Sequence, residues 1–562
     1  MDPQTPHDSS STSSSSARLP RALALAIGMV LGGGFVAYVA STTTMKSPCE
    51  GNFFKSEDFD EDFVEDEPLP DHDDDNLRGS KEDFDADFVE DEPIPGHENE
   101  NLRGSKQVIV SVAHSESEEA RGPALPGPMI SGPPDGTTKQ MLSELRALSV
   151  DLTPGSKCST WYGIEMIEKQ RQKILEVCEP IADSDSVPSK VYCYSRDPFD
   201  LGTRYTCVFE DAELVDYRPE FWKKPTSAIH YTKLAVQSCT MGVNVMKISW
   251  DGWTEYTMRH VEERPRLECR DVVEHPVIVY TMWELAGHNL YEQMGDYFTV
   301  LEAVLTMQVE FSDVELFLTN IDNKMPAYPI FDAWRTAFSR RGIRMGHEWY
   351  KNGTCFRKIA FPPVPGVSTI SGNRGRSGQT SCRVGPIFRV ISLFTRSLFV
   401  QNQTIHGLSE KPRCRLALLH RTEPPRTFDS ASYVDELNNR LLAKKLQFKG
   451  HEEEGYKAFV FDPRGVPLYK NLRILSRVAV LFGIHGAGLA HSLFLQEGHS
   501  ALLELYCADR QAGNGHYKTI VAMMGLSYSS LSSTMCKGFD PGVVAGAAIK
   551  LIPETTKADC LP

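Results

Sequence analysis

The sequence predicts an α/β protein: two Rossmann-like domains facing one cleft, preceded by a single amino-terminal transmembrane helix and a disordered acidic stem. Three observations predict it. From residue 276 onward, strand-like and helix-like apolar segments alternate in two series, parted by a stretch rich in Gly, Arg and Ser at 366–386. Such alternation makes right-handed βαβ crossovers and a parallel sheet covered on both faces. An uncharged 19-residue run occupies 22–40, and two acidic 25-residue repeats separate it from the first Trp-containing segment.

Residues 1–21 read as a cytosolic tail. The run ALALAIGMVLGGGFVAYVA at 22–40 makes about 28 Å of helix, enough to cross a bilayer. Arg18 and Arg21 precede it and an acidic region follows, so the positive-inside rule leaves the body on the luminal side, as a single-pass type II protein. Residues 41–141 read as a disordered stem. Its repeats, 57–81 and 82–106, together hold 21 Asp/Glu against four Lys/Arg, a net of −17 where the whole chain is −16. Dense like charge with few apolar residues cannot fold, and a near-neutral body has no basic face for nucleic acid. The first repeat has the acid spacing of a calcium loop, but Asn76 replaces the glycine such a loop needs, so a solvated spacer is the better reading.

The chain carries thirteen cysteines, twelve of them from Cys158 onward, without a CxxC pair; disulfides in an oxidising lumen are expected, with Cys49 as the odd thiol. Asn352-Gly-Thr and Asn402-Gln-Thr are acceptor triplets for N-linked glycans. Residues 142–275 form a Cys-containing first part of the luminal region, read as short strands and loops. A first Rossmann-like domain covers 276–410, with strands at 277–283 and 314–320, a helix at 286–308 and another near 332–340. A second covers 411–562: strands at 415–420, 457–462, 478–483 and 501–506, and helices at 430–446, 467–477 and 488–495.

The most informative run is Val478 to Tyr506. A buried strand ends in Gly483, a turn carries His485-Gly486-Ala487-Gly488, and a helix is expected at once. Helix amino termini expose N–H groups and the positive dipole end, while glycines admit phosphate close to the backbone. The spacing fits neither GxGxxG nor the P-loop, so neither NAD nor ATP is supported.

Gly483, His485, Gly486, Ala487, Gly488, Leu489, Leu493, Phe494, Leu495, Gly498 and Glu504 resemble the signature of glycosyltransferase family 61, whose members transfer xylose to N-glycan cores or GlcNAc to protein. Asn289-Leu-Tyr-Glu-Gln-Met-Gly-Asp296 with Tyr297 is similar to a second block of the family, although Glu292 stands where many members carry histidine. Cys355-Phe-Arg357, His420-Arg421, and Gly515-His-Tyr517 ahead of Gly525-Leu-Ser-Tyr528 agree further, so the resemblance covers roughly residues 275–530.

The resemblance implies a GT-B-like, inverting enzyme that uses no metal or other cofactor and takes a UDP-sugar in the second domain and a glycan or glycoprotein acceptor in the first. His485, Gly486, Ala487 and Gly488 would cradle the diphosphate. Arg421 and Arg426, past a carboxyl strand end, would neutralise departing UDP, and Glu504 would accept the ribose hydroxyls. Asp296 and Glu292, four apart on one helix face, are the candidate bases, Asp296 the first choice. His288 and Asn289 would serve the acceptor side. Xylose is the first expectation for the sugar and GlcNAc the second; the Golgi membrane is the expected location, the endoplasmic reticulum the alternative. The Glu292 departure leaves open a catalytically inactive relative that binds glycans or a partner.

Overall fold

The computed structural model describes residues 132–182, 186–196, 204–217, 232–242, 258, 260–282, 289–319, 329–363, 370, 382–400, 414–421, 429–447, 455–507, 515–535 and 538–560. The anchor at 22–40, the acidic repeats, Cys49, His288, Asn402 and Arg426 lie outside the described residues. Among the described residues no helix is long and apolar enough to cross a membrane.

Three helices open the described chain: α1 (Thr137–Ser149), α2 (Lys157–Tyr162) and α3 (Ile164–Gln172). Helix α1 begins at Thr137, inside the segment 41–141 expected to be stem, so ordered structure starts before residue 142. Its Met141, Leu142 and Leu145 recur at helical spacing and are buried in the main apolar cluster. Glu310 accepts the backbone N–H groups of Gly136 and Thr138 at 3.1 and 3.2 Å, closing the amino end that lacks a cap of its own.

Eight strands follow: β1 (Ile174–Glu176), β2 (Cys178–Pro180), β3 (Lys190–Arg196), β4 (Arg204–Tyr217), β5 (Thr232–Gln237), β6 (Cys239–Met241), β7 (Glu262–Arg264) and β8 (Asp271–Val273). Next come β9 (Val277–Tyr280), α4 (Leu290–Met307), β10 (Glu315–Leu318), α5 (Phe331–Ala337), β11 (Ile343–Met345), β12 (Thr354–Phe361) and α6 (Pro386–Val400). Strands β9, β10, β11 and β12 are mutually parallel where they pair, in the order β12-β9-β10-β11. The fourteen-residue β4 joins β12 antiparallel and carries β3 and β5, so the strands of 142–275 extend the sheet of 276–410.

The remaining chain gives β13 (Arg415–Leu419), α7 (Ser430–Ala443), β14 (Lys457–Phe461), α8 (Leu468–Leu475), β15 (Val478–Ile484), β16 (Ala501–Cys507), α9 (His516–Met523), β17 (Ser527–Ser533), α10 (Pro541–Lys550) and α11 (Glu554–Cys560). Its strands form an all-parallel sheet in the order β14-β13-β15-β16-β17, the signature of repeated crossovers. All seven residues of β15 are buried, as a continuous apolar run in a central parallel strand must be. One face packs α7 and α10; the other shares a single apolar cluster with α4, α5 and α6 of the first sheet. Across that junction the Asp332 carboxylate accepts the Tyr469 backbone N–H at 3.0 Å, at the start of α8.

Disulfides join Cys158 to Cys382, Cys178 to Cys239, Cys193 to Cys207, Cys269 to Cys355 and Cys414 to Cys560, and Cys507 is disulfide-bonded as well.

Candidate active site

The chemistry-bearing residues gather where β13, β15 and β16 end. Gly483 lies in register with Glu504, and the His485 backbone N–H bonds to the Leu505 carbonyl at 2.9 Å, so the turn leaves β15 directly beside β16. The His485 Nδ1 then meets the Glu504 carboxylate. Glu504 is fully buried, and its other oxygen accepts the Tyr528 hydroxyl at 2.7 Å. Both oxygens of its carboxylate are therefore engaged within the protein, one by His485 and the other by Tyr528. The His485 ring stacks on Tyr506 at 5.3 Å and meets Tyr517 edge-on at 5.1 Å. Burial, followed by the Glu504 charge, raises the Tyr528 hydroxyl pKa far above its ordinary value.

Gly483 at the end of β15 and the two glycines of the turn serve close approach. A Cβ on Gly483 would stand 2.9 Å from the Leu419 Cβ, and one on Gly488 2.6 Å from the Leu419 Cδ2, so both make room for that leucine of β13. A Cβ on Gly486 would fall on the Arg421 guanidinium, whose Nη1 donates to the His485 carbonyl at 3.3 Å. Arg421 thus lies across the turn, half-buried, just past the end of β13. Next to it the His420 Nδ1 and the Ser430 hydroxyl are 2.9 Å apart, at the start of α7.

The segment after Gly486 was expected to be an α-helix, but it is a 3-10 helix, Ala487–Phe494. Leu489 N–H bonds to the Gly486 carbonyl, and His491 Nδ1 donates to the Gly488 carbonyl at 2.8 Å, both at the three-residue spacing that tightens the turn. Burial lowers the His491 pKa to about 4, so it is a neutral structural donor near pH 7.

From the first sheet, α4 faces this cluster. Asn289 is its cap, its side chain accepting from the Tyr291 and Glu292 backbone N–H groups at 3.1 and 3.4 Å. Tyr291 stacks on His516 and meets Tyr517 edge-on at 5.9 Å. Tyr517 touches both sides; burial first, then Tyr291, Glu504 and Glu292, raise its hydroxyl pKa well above the usual value, while Arg421 opposes them. Glu292 is half-buried, whereas Asp296, one turn deeper, is 1% exposed and accepts the Tyr280 hydroxyl at 2.9 Å.

The structure therefore brings together Glu292, Arg421, Gly486, His485 and Glu504 and sets Asp296 apart beneath them. Ala487 and Gly488 are half-exposed in the turn. Tyr291, Tyr506, His516, Tyr517 and Tyr528 had no role assigned from sequence. The only signal was their place in or beside family-like segments.

No protein-family model matches the chain. It is 26% identical over 288 residues to the EGF domain-specific O-linked N-acetylglucosamine transferase of Mus musculus, covering 49% of this chain and 48% of that protein. The protein of that name from Rattus norvegicus is 26% identical over 294 residues, with the same coverage. The one from Drosophila melanogaster is 23% identical over 289 residues, covering 47% and 49%. The match thus spans about half the length of these curated relatives, and it supports a distant relation to glycosyltransferase family 61. Among solved structures, a mutant flavo di-iron protein from Thermotoga maritima superposes over 67% of this chain and 98% of its own at 9% identity and a TM-score of 0.18, too low to carry an argument.

Proposed function

We propose that the chain is an inverting, metal-independent glycosyltransferase of GT-B architecture that moves a sugar from a UDP-sugar to a glycan or glycoprotein acceptor in the secretory pathway. The observation that carries this reading is the meeting of Arg421, Gly486 and the His485–Glu504 pair at the carboxyl ends of β13, β15 and β16. Open α/β sheets bind ligands outside those ends. Arg421, in contact with the turn, is suited to neutralise charge on a leaving diphosphate, and Glu504 fixes the imidazole that would hydrogen-bond it.

An inverting displacement needs a base on the face of the sugar opposite UDP. Asp296, the first choice from sequence, is enclosed and already accepts the Tyr280 hydroxyl, so it braces α4 against β9. The base passes to Glu292, which is half-buried and follows Tyr291, the residue of α4 that stacks on His516 beside the turn. GlcNAc moves ahead of xylose, because the relatives above are named for GlcNAc transfer. The disulfides suit an oxidising lumen and so support the secretory placement; the Golgi membrane keeps first place over the endoplasmic reticulum only on the sequence reading of an anchor and a stem.

The test is UDP release from UDP-GlcNAc and UDP-xylose, each with a folded EGF domain or an N-glycan as acceptor, with and without EDTA. Acceptor-dependent release that survives EDTA supports the reading. Complete loss in EDTA with rescue by manganese would remove the metal-independent mechanism. Binding of UDP without turnover on any acceptor would favour an inactive, binding relative.

A further inference from the structure

Between β11 and β12 the chain folds back over the first sheet, at a place that shares no residue with the His485 site. Tyr217, Arg270, Trp349, Tyr350, Lys351 and Asn352 line a cleft of about 380 Å³ there. Small-ligand clefts occupy roughly 300–1,000 Å³. Its rings are held in place: Trp349 packs on Phe317 at 3.9 Å and on Tyr217 at 4.8 Å, the Tyr217 hydroxyl donates to the Gly346 carbonyl at 3.0 Å, and the Tyr350 hydroxyl to Glu315 at 2.7 Å.

Asn352 stands at the outer corner of this cleft. The turn Lys351–Thr354 is closed by the Thr354 N–H on the Lys351 carbonyl at 3.1 Å, with Gly353 at φ +85°, a conformation that favours glycine. The Gly353 N–H bonds to the Leu214 carbonyl at 2.7 Å, which pins the turn against β4. Gly353 and Thr354 are buried, whereas Asn352 is exposed. The acceptor triplet Asn352-Gly-Thr354 is thus presented on a fixed turn, with aromatic rings three and two residues before it.

We infer that Asn352 carries an N-linked glycan and that its first sugar seats in this aromatic cleft. The inference rests on the secretory placement proposed above. In the modifying step the Asn352 amide nitrogen displaces the diphosphate of a polyprenyl-diphosphate oligosaccharide. The C1–O bond to the diphosphate breaks, the N–C1 bond forms, one amide proton is lost, and the lipid diphosphate leaves. A pyranose ring offers an apolar C–H face to an aromatic ring and hydroxyls to donors; Arg344 covers the Tyr350 ring at 4.3 Å, so the cleft supplies the aromatic surface through Tyr217 and Trp349 and the donors through Arg270 and Lys351. Because the rings are already fixed by other contacts, seating the sugar orders little else.

The experiment uses the full chain made in a secretory eukaryotic host, in an Asn402→Gln background. Peptide mass spectrometry after peptide N-glycosidase should show Asn352 converted to Asp. An endoglycosidase that leaves one GlcNAc should not change Tm, whereas Asn352→Gln should lower it by about 1–4 °C. A bare Asn352 in the natural chain when Asn402 is occupied overturns the inference, as does equal Tm for the single-sugar form and Asn352→Gln. Free thiols throughout, with both triplets bare, would overturn the secretory placement instead, whatever the transferase assay shows.

Discussion

The rings of Tyr291 and His516 lie 4.8 Å apart and parallel to within 1°, one from the first turn of α4 beside the first sheet, the other from the start of α9 beside the second. The pair joins the two halves next to the candidate site. A double-mutant cycle with Tyr291→Leu and His516→Leu should give a coupling of about 0.5–1.5 kcal/mol in urea melts. A coupling indistinguishable from zero would mean that the stack does not hold the halves together.

Glu292→Gln keeps size and removes the proton acceptor. Turnover should fall by roughly 10²–10⁴ with UDP affinity unchanged. Asp296→Asn, which still can accept the Tyr280 hydroxyl, should cost less. The reverse order of effects would return the base to Asp296.

Arg421→Ala removes a charged donor from the turn, so the Kd for UDP should rise about 10- to 150-fold, the worth of a charged hydrogen bond. Gly486→Ala should do the same by displacing the guanidinium, while the circular dichroism spectrum stays that of the parent. Calorimetry on both variants checks this; unaltered UDP affinity in both would take the diphosphate out of this turn.

Burial raises the Asp332 pKa to about 6 from 3.8, although the backbone N–H groups of Tyr469, Leu468 and Ala333 oppose it. The native state then holds this proton more tightly than the unfolded chain does. Its contribution to stability is present below about pH 4 and is lost as pH rises through 6. Asp332→Asn is neutral and still accepts the Tyr469 N–H, so its Tm should exceed the parent's at pH 7, by on the order of a few degrees, and match it near pH 4. An identical pH profile for the two proteins would refute the raised pKa.

A chain starting at residue 132 should fold and be active. One starting at 150 loses Met141, Leu142 and Leu145, each worth about 1.5–3 kcal/mol when buried, together comparable with the net stability of a domain. It should aggregate or expose the core to limited proteolysis; normal yield and melting would show α1 to be dispensable.

Four strands of the second sheet were legible because they are continuous apolar runs with local crossovers: those expected at 415–420, 457–462, 478–483 and 501–506 each lie within one residue of their expected bounds, whereas the edge strand β17, SYSSLSS, is polar and partly exposed and carried no such signal. The first sheet was legible only in β9 and β10; their parallel neighbours, β11 and β12, were not expected. β4 mixes aromatic, charged and aliphatic residues in a way that reads as short strands and loops, and the residues of β12 it pairs with come 142 to 154 positions later, from Glu213↔Cys355 to Cys207↔Phe361. The site was half legible. His485, Gly486 and Arg421 lie where a glycine turn beyond a strand end places them. The burial of Asp296 was not legible, because Glu292 and Asp296 share a helix face and only the packing of α4 on β9 decides which of them is enclosed. Nor was the commitment of Glu504, which depends on Tyr528 arriving from the next strand.

The Cys414–Cys560 link closes the second sheet across 146 residues of chain. A ribosome adding about 5–20 residues per second takes roughly 7–30 s over that distance. On the secretory reading proposed above, Cys414, just before β13, waits through that interval as a reduced thiol, while Cys507 emerges as an alternative partner. Maturation of this half thus favours a cell rich in disulfide isomerase. A bacterial cytoplasm, which keeps thiols reduced, would leave this link and the other disulfides open unless oxidative machinery is supplied.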